Sequence, residues 1–288
     1  MAELNDWTCE YNGLVMGEPD SAVSIVAVDG LLTLPEIRSS DLSLVQRHGL
    51  FAGDDYMNGR TVTLTLEVYG STREEFTQAL LDLQASFMPG DVEKSLRFRF
   101  PGVAADQTGY VMCRPRKRSA PLDLNFANMV CNVVVELYST SPYIYGDVAR
   151  TVTVQSIKRE IVPSGLVPPS TVPWQITSQG TQPAEPIARF TQYGSVVARP
   201  TIVIQDVAYP TLTDDVTGQF FSVDYDGDLF IDSAAQIVTD AAGNDIRGLI
   251  TVGSTWPEFG PGAHRLRLRS RDEYTAATAV LTWSDRWV

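Results

Sequence analysis

The feature that most limits the fold of this chain is a hydrophobic period of two that recurs along its length. In Arg60–Tyr69, Val62, Leu64, Leu66 and Val68 alternate with Thr61, Thr63, Thr65 and Glu67. Successive side chains of a strand point to opposite faces, so this run reads as a strand with one buried face. The same alternation sets Leu96, Phe98 and Phe100 against Arg97 and Arg99. It recurs in the run from Phe126 to Tyr138, where Val133, Val135 and Leu137 oppose Asn132, Val134 and Glu136. Gly109–Cys113 is a shorter candidate that leads into a basic loop, Arg114-Pro-Arg-Lys-Arg118. Asn12-Gly13 between Thr8–Tyr11 and Leu14–Met16 is a strong hairpin signal. Val23–Val28 is followed by the turn Asp29-Gly30 and by Leu31-Leu32. From Pro35 to Gly59 no period holds, and the stretch reads as a long loop, a length that usually means function or stapling by neighbours.

One segment switches to a helical period. Ser71-Thr72-Arg73-Glu74 reads as a capping box, with Ser71 as N-cap and Glu74 reaching back. Phe76, Ala79, Leu80, Leu83 and Phe87 then form an apolar stripe that packs on the chain's own sheet, and Pro89-Gly90 ends the helix. A boundary falls near residue 150. Thr151–Ile157 is a short strand, and the prolines at 163, 168, 169 and 173 that follow cannot continue a central strand, so they read as a surface crossing or linker. The second half offers only short strands: Ile187–Tyr193, Pro200–Gln205, Gln219–Tyr225, Leu229–Asp232, Gln236–Val238, Ile246–Val252, Arg265–Arg269 and Ala277–Trp283. Such spacing suggests an all-β sandwich. The fold class expected is therefore mainly β, a helix-bearing β domain over 1–150 followed by an all-β domain over 151–288. A length of 288 residues accommodates about two domains.

Charge and the rarer side chains narrow the chemistry. There are 22 Lys and Arg against 35 Asp and Glu, a net charge of -13. Nucleic-acid binding draws on clustered basic charge, and the average field here repels phosphate. The three cysteines, Cys9, Cys113 and Cys131, are too widely spaced for a disulfide framework or zinc site and read as small buried hydrophobes. His48 and His264 lie far apart in glycine-flanked loops, which leaves little for a Ser-His-Asp site. Nucleophile-elbow and nucleotide-loop patterns are absent. No catalytic, cofactor-binding or metal-ligating residue is expected, and no enzyme. The acidic, polar N-terminus does not read as a secretory signal, and no run approaches the roughly 20 apolar residues of a membrane helix.

Three motifs invite more specific readings. Asp224-Tyr-Asp226-Gly-Asp228 lacks EF-hand spacing, and a tight hairpin turning at Asp226-Gly227 is the simpler expectation. Arg114, Arg116, Lys117 and Arg118 form the one dense basic cluster; a solvated strand end opposing the chain's own acidic surface is the plain expectation, and an acidic partner subunit suits the cluster better than nucleic acid. Arg265, Arg267 and Arg269 give a half-buried strand a basic outer face. With Trp256, Trp283 and Trp287 nearby in sequence they could form a sugar site, although core and rim tryptophans are the plainer expectation.

The order of these segments resembles a known family. Val28-Asp-Gly-Leu-Leu-Thr-Leu-Pro-Glu-Ile-Arg-Ser-Ser-Asp41, His48-Gly-Leu-Phe-Ala-Gly-Asp-Asp-Tyr56, Arg60–Gly70 and the capped helix follow one another. In the second half come Gly194–Pro200, Asp228-Leu-Phe-Ile-Asp232, Trp256-Pro-Glu-Phe-Gly-Pro-Gly262 and the ending Leu281-Thr-Trp-Ser-Asp-Arg-Trp287. This series resembles the distal tail proteins, or minor tail proteins, of long non-contractile-tailed bacteriophages, over nearly the whole chain. The resemblance implies an N-terminal β-sandwich with a flanking helix, related to tail-tube proteins, which closes a homohexameric ring around the tail channel. It implies a C-terminal galectin-like β-sandwich projecting outward. A structural virion protein made in the host bacterial cytoplasm would follow, placed at the distal end of the tail. Its partners would be the tail-tube protein, the tail-tip hub and receptor-binding or fibre proteins. DNA would meet it only in passage through the channel, without membrane insertion or cofactor. The alternative is a carbohydrate-binding adhesin or module that contacts the host surface through the Trp256 and Arg265–Arg269 region.

Overall fold

A computed structural model of the chain describes residues 3–156, 186–271 and 276–288. The chain divides into two compact units. The first takes Met1–Val148 with Gly194–Val196 and Asp285–Val288, and the second takes Ala149–Tyr193 and Val197–Ser284. The chain thus passes between the units more than once. The proline-rich stretch expected as a linker lies outside the described residues.

The first unit begins with the hairpin β1 (Thr8–Tyr11) and β2 (Leu14–Met16), followed by β3 (Val23–Asp29). Next come four short strands, β4 (Ile37–Ser39), β5 (Leu42–Ser43), β6 (Leu50–Phe51) and β7 (Asp55–Met57). The long strand β8 (Arg60–Tyr69) leads to helix α1 (Arg73–Ser86). Then follow β9 (Lys94–Arg99), β10 (Gly109–Ser119), the single turn α2 (Leu124–Ala127), β11 (Val130–Ser139) and β12 (Ile144–Gly146). The main sheet runs β2-β1-β9-β10-β11-β8-β3.

This sheet bends on β10, and strands on both sides of the bend share one core. Up to Cys113, β10 pairs with β9; from Arg114 it pairs with β11. The register slips between Pro115 and Lys117, which leaves Arg116 as a bulge. Proline cannot donate to a ladder and is tolerated at bulges, and a bulge bends its strand. The basic stretch Arg114–Arg118 is therefore the far half of a strand, not a loop.

The alternation in β8 is realised as expected: Val62, Leu64, Leu66 and Val68 are buried. Burial of each is worth about 1.5–3 kcal/mol, and a one-residue slip would turn all of them to solvent. β11 presents Cys131, Val133, Val135 and Leu137 to the same core. The helix starts one residue later than the capping box was read. Thr72 is the N-cap, its hydroxyl accepting from the Glu75 N–H at 3.2 Å, while Glu75 accepts from the Ser71 N–H at 3.1 Å. Both spacings satisfy the pattern, and the phase that buries Phe76, Ala79 and Leu83 prevails. The expected strand start at Phe126 is instead the helical turn α2, which Asp123 caps by accepting from the N–H groups of Asn125 and Phe126. The three cysteines are buried and free. Burial pushes the thiols of Cys9 and Cys113 up to about 12, so they are inert hydrophobes in this core.

The second unit contains β13 (Arg150–Gln155), β14 (Ala188–Gln192), β15 (Thr201–Gln205), β16 (Thr211–Asp214) and β17 (Phe220–Ser222). It continues with β18 (Leu229–Asp232), β19 (Ile237–Asp240), β20 (Gly262–Arg269) and β21 (Thr278–Trp283). The last strand, β22 (Arg286–Trp287), pairs with β12 in the first unit. Sheets β13-β21-β15-β18-β19 and β14-β20-β16-β17 share one core, in which Ile202, Ile231 and Leu281 of the former meet Leu212, Phe221 and Leu266 of the latter. This is a two-sheet sandwich.

Two sequence expectations fail here. Asp226-Gly227 does not turn a hairpin, because β17 and β18 lie in different sheets. The Gly227 N–H donates to the Val207 carbonyl at 2.9 Å, and Asp228 accepts from the Asp206 N–H at 2.9 Å, so the turn connects the two sheets. Ile246–Val252 is not a strand either. Asp245 accepts from the Arg247 backbone N–H at 3.0 Å and pairs with its guanidinium, which winds a tight helical turn over Arg247–Leu249.

Candidate assembly interface

The stretch read as a long loop is a projecting β-ribbon. β4 pairs with β7 through Ile37–Met57, Arg38–Tyr56 and Ser39–Asp55, and β5 pairs with β6 through Leu42–Phe51 and Ser43–Leu50. Between the two ladders the Ser40 hydroxyl donates to the Asp54 carbonyl at 2.9 Å, and Asp41 accepts from the Gly53 N–H at 2.8 Å. That last bond, with help from Ser39, holds the Asp41 carboxyl below its ordinary range. Every residue from Glu36 to Tyr56 is exposed. Val45, Leu42, Phe51 and Leu50 at the outer end are 86%, 67%, 66% and 61% exposed. A two-stranded hairpin in water is marginally stable alone, and clustered exposed apolar side chains mark interaction sites. This arm has no covering layer within the described residues.

Its root is built to hold it in place. Arg60, the first residue of β8, is 1% exposed. Its guanidinium Nη1 donates to the carbonyls of Gly30, Leu31 and Thr33 at 2.5, 2.7 and 3.1 Å, and Nε donates to Pro142 at 3.0 Å. One side chain thus ties the segment entering the arm to the segment leaving it. Glycine occupies both sides of that root for steric reasons. Gly30 has φ +90° and lies against the Thr61 carbonyl; Gly59 lies against the Ser139 carbonyl and the Tyr138 ring. No sequence pattern marks Arg60, which looks like any polar residue at a strand start.

The basic cluster has partners within its own unit while Arg116, Lys117 and Arg118 stay exposed, and Arg114 Nη1 donates to the Asp91 carbonyl at 3.4 Å. Lys117 pairs with Glu136 at 2.9 Å, Arg118 donates to the Gln84 carbonyl at 3.0 Å, and Arg116 lies over the Tyr138 ring at 5.2 Å. The second buried cation of this unit, Arg97, bridges Glu10 at 2.6 Å and Asp147 at 2.7 Å.

In the second unit the structure makes a carboxylate–histidine pair that the sequence did not suggest. His264 lies on β20, not in a loop, and is buried between Asp214 and the 260 turn. Nδ1 meets Asp214 Oδ2 at 2.7 Å and Nε2 meets the Gly260 carbonyl at 2.7 Å. In a catalytic triad the second nitrogen faces a nucleophilic hydroxyl; here a backbone carbonyl takes that place, and Phe190 stacks on the ring at 5.3 Å. The pair is a structural clasp. Burial pushes the Asp214 carboxyl up, but bonds from His264 and from the Val216 and Arg265 N–H groups outweigh it and leave the group below its ordinary range. A depressed folded-state carboxyl stabilises above its unfolded pKa of about 3.9, and that stability disappears as pH falls through the folded value. Asp214→Ala is expected to cost about 2–3 kcal/mol at neutral pH. It should also flatten the acid limb of the melting curve below about pH 4, as calorimetry across pH would show.

The proposed sugar platform is not assembled. Trp283 is buried in the core of the second unit, Trp287 belongs to the first unit, and Trp256 packs on Phe221 at 5.1 Å. Among the described residues, no three of His, Cys, Asp or Glu converge as metal ligands, and no helix is long and apolar enough to cross a membrane.

No protein-family model and no curated protein matches the chain. Solved structures do. The crystal structure of the Dit protein of phage SPP1, a paradigm of the hub adsorption apparatus in phages that infect Gram-positive bacteria, is similar over 98% of this chain and 99% of that one, with a TM-score of 0.62 and 14% identity. A chain of the phage P2 baseplate in its activated conformation with Ca is similar over 94% of this chain and 93% of its own, with a TM-score of 0.44 and 10% identity. The first likeness is one of fold: the chain has the mainly-β Dit-like architecture that the order of its motifs implied.

Proposed function

We propose that the chain is a structural component of a bacteriophage tail tip. Six copies close a ring that joins the tail tube to the tip hub and anchors adsorption proteins. A tail-tube-like domain over residues 1–150, which supplies most of the first unit, builds the ring. A galectin-like sandwich over 151–288, which supplies most of the second unit, offers attachment surfaces at the distal end of the tail. The observation that carries this reading is the arm: a ribbon exposed on both faces, apolar at its end and rigidly rooted, needs another subunit to cover it. A second copy fits, because a heterologous contact whose rotation closes yields a ring and removes the exposed edge. The shared fold with the SPP1 protein, over nearly the full length of both chains, supports the same reading. The acidic net charge of -13 suits a channel through which DNA passes without sticking. The three inert cysteines and the closed His264 clasp agree with a scaffold, not an enzyme.

Immunogold labelling of virions tests the placement. Label confined to the tip of the tail is expected; label along side fibres, on the capsid, or absent from particles overturns the proposal.

A further inference from the structure

The far half of β10 gathers four cations, Arg114, Arg116, Lys117 and Arg118, in a chain whose net charge is -13. Only Lys117 meets a carboxylate, that of Glu136. Arg114 and Arg118 donate to backbone carbonyls, those of Asp91 and Gln84, and Arg116 lies over the Tyr138 ring. Among the described residues none of the three arginines has an ion pair. A carbonyl near a helix end offers only partial negative charge, so most of the positive charge is left uncompensated. From Arg114 on, β10 pairs with β11 alone, and no strand occupies its other edge. Charge on an open edge discourages strand addition, but either sign serves that purpose. The sign found here is the rarer one in the chain, which has 22 basic against 35 acidic residues. Apolar side chains flank these cations. Leu122 and Leu124 follow on the same segment, and Leu81 stands one turn before Gln84 on α1; all three are exposed.

We propose that this patch receives the arm of a neighbouring copy of the chain. The inference rests on the ring proposed above and adds the surface that covers each arm. The charges are complementary. Glu36–Tyr56 holds four carboxylates, Glu36, Asp41, Asp54 and Asp55, against two cations, Arg38 and Arg47. None of the four pairs with a cation among the described residues, and Arg38 lies over the Tyr56 ring instead. Asp54 and Asp55 lie close in sequence to the exposed Leu50 and Phe51. The arm thus presents acid beside apolar groups, as the patch presents base beside apolar groups. Exposed ion pairs are individually weak, so the apolar side chains supply the affinity while the charges set register and exclude wrong partners. Duplex DNA is the competing acidic guest. Its phosphates offer charge but no apolar counterpart for Leu81, Leu122 and Leu124. Arm and patch are different surfaces of one chain, so their pairing is heterologous, the kind of contact that generates a ring where its rotation closes.

A charge swap in the full chain decides the matter, with assembly read by analytical ultracentrifugation and by entry into virions under complementation. Arg116→Glu with Arg118→Glu is expected to weaken assembly about tenfold or more, and Asp54→Arg with Asp55→Arg likewise. All four substitutions together should restore it to within about threefold of the wild type, because the reversed charges attract again. Melting temperatures should match the wild type, since all four side chains are exposed. If the first pair melts lower, Arg116→Glu with Asp54→Arg repeats the swap without touching the bond from Arg118 to Gln84. Assembly that ignores the reversals, or a loss that the combination does not recover, overturns the contact. So does duplex DNA binding that falls in the Arg116 and Arg118 variant while assembly stays intact. Loss on replacing Val45, Leu50 and Phe51 with aspartate, but none on charge reversal, overturns the contact and leaves the ring standing. Absence of the wild-type chain from tail tips overturns the ring itself.

Discussion

Replacing Val45, Leu50 and Phe51 with aspartate is expected to leave a folded monomer that no longer assembles. These side chains are 86%, 61% and 66% exposed, so the isolated chain loses no core contact. If a neighbouring copy covers the arm, each becomes buried on assembly. Full burial of a large apolar side chain is worth about 1.5–3 kcal/mol, and aspartate adds the cost of burying charge. Loss of all three therefore removes at least about 4 kcal/mol from each contact, roughly a thousandfold in affinity. Circular dichroism and thermal melting should match the wild type. Analytical ultracentrifugation and incorporation into virions by complementation should show the loss. A triple variant that assembles and enters particles like the wild type contradicts a role for the arm.

Arg60→Met should be the most damaging single substitution in the first unit. The guanidinium is 1% exposed and serves four backbone carbonyls, those of Gly30, Leu31, Thr33 and Pro142. Methionine fills much of the space but donates nothing, and the buried Leu31 carbonyl is left without a donor. Leaving buried carbonyls without a donor costs about 1–3 kcal/mol for each, so about 3 kcal/mol or more for the set. For a unit of this size that lowers the melting temperature by about 6 °C at least. Arg60→Lys should not restore it, because one ammonium cannot reach acceptors on both sides of the root. The arm should also become the first site of proteolysis. Melting within 2 °C of the wild type would show that the clasp is dispensable.

The sequence was most legible where one face is buried. Val62–Val68 and Val133–Leu137 could be read because the core enforces a period of two. The helix is legible because Phe76, Ala79 and Leu83 enforce another, but of two overlapping capping boxes the one at Ser71 was read, and the structure uses the one at Thr72. The arm was not legible for the opposite reason. Its strands are two or three residues long and buried on neither face, so Leu42, Leu50 and Phe51 follow no period. Gly30 and Gly59 were the available signals of its root, and they read equally well as ordinary turns. The His264–Asp214 clasp joins residues 50 positions apart, which no local pattern reveals. The extension of β10 through Pro115 was hidden because proline and four nearby basic residues look like a loop; the bulge at Arg116 accommodates both. The Asp226-Gly227 dipeptide carries a hairpin signal that the sandwich overrides, since the strands on either side belong to different sheets.

In the closed ring proposed for this chain, neighbouring copies cover the arms, Glu36–Tyr56. A cryo-EM map of the virion's tail tip tests it most directly. The expected result is a six-fold ring of this chain directly below the last tail-tube ring, with Val45, Leu50 and Phe51 of each copy buried against the next. A map that places the chain in a side fibre or a three-fold spike, or in a ring whose arms stand free in solvent, contradicts it.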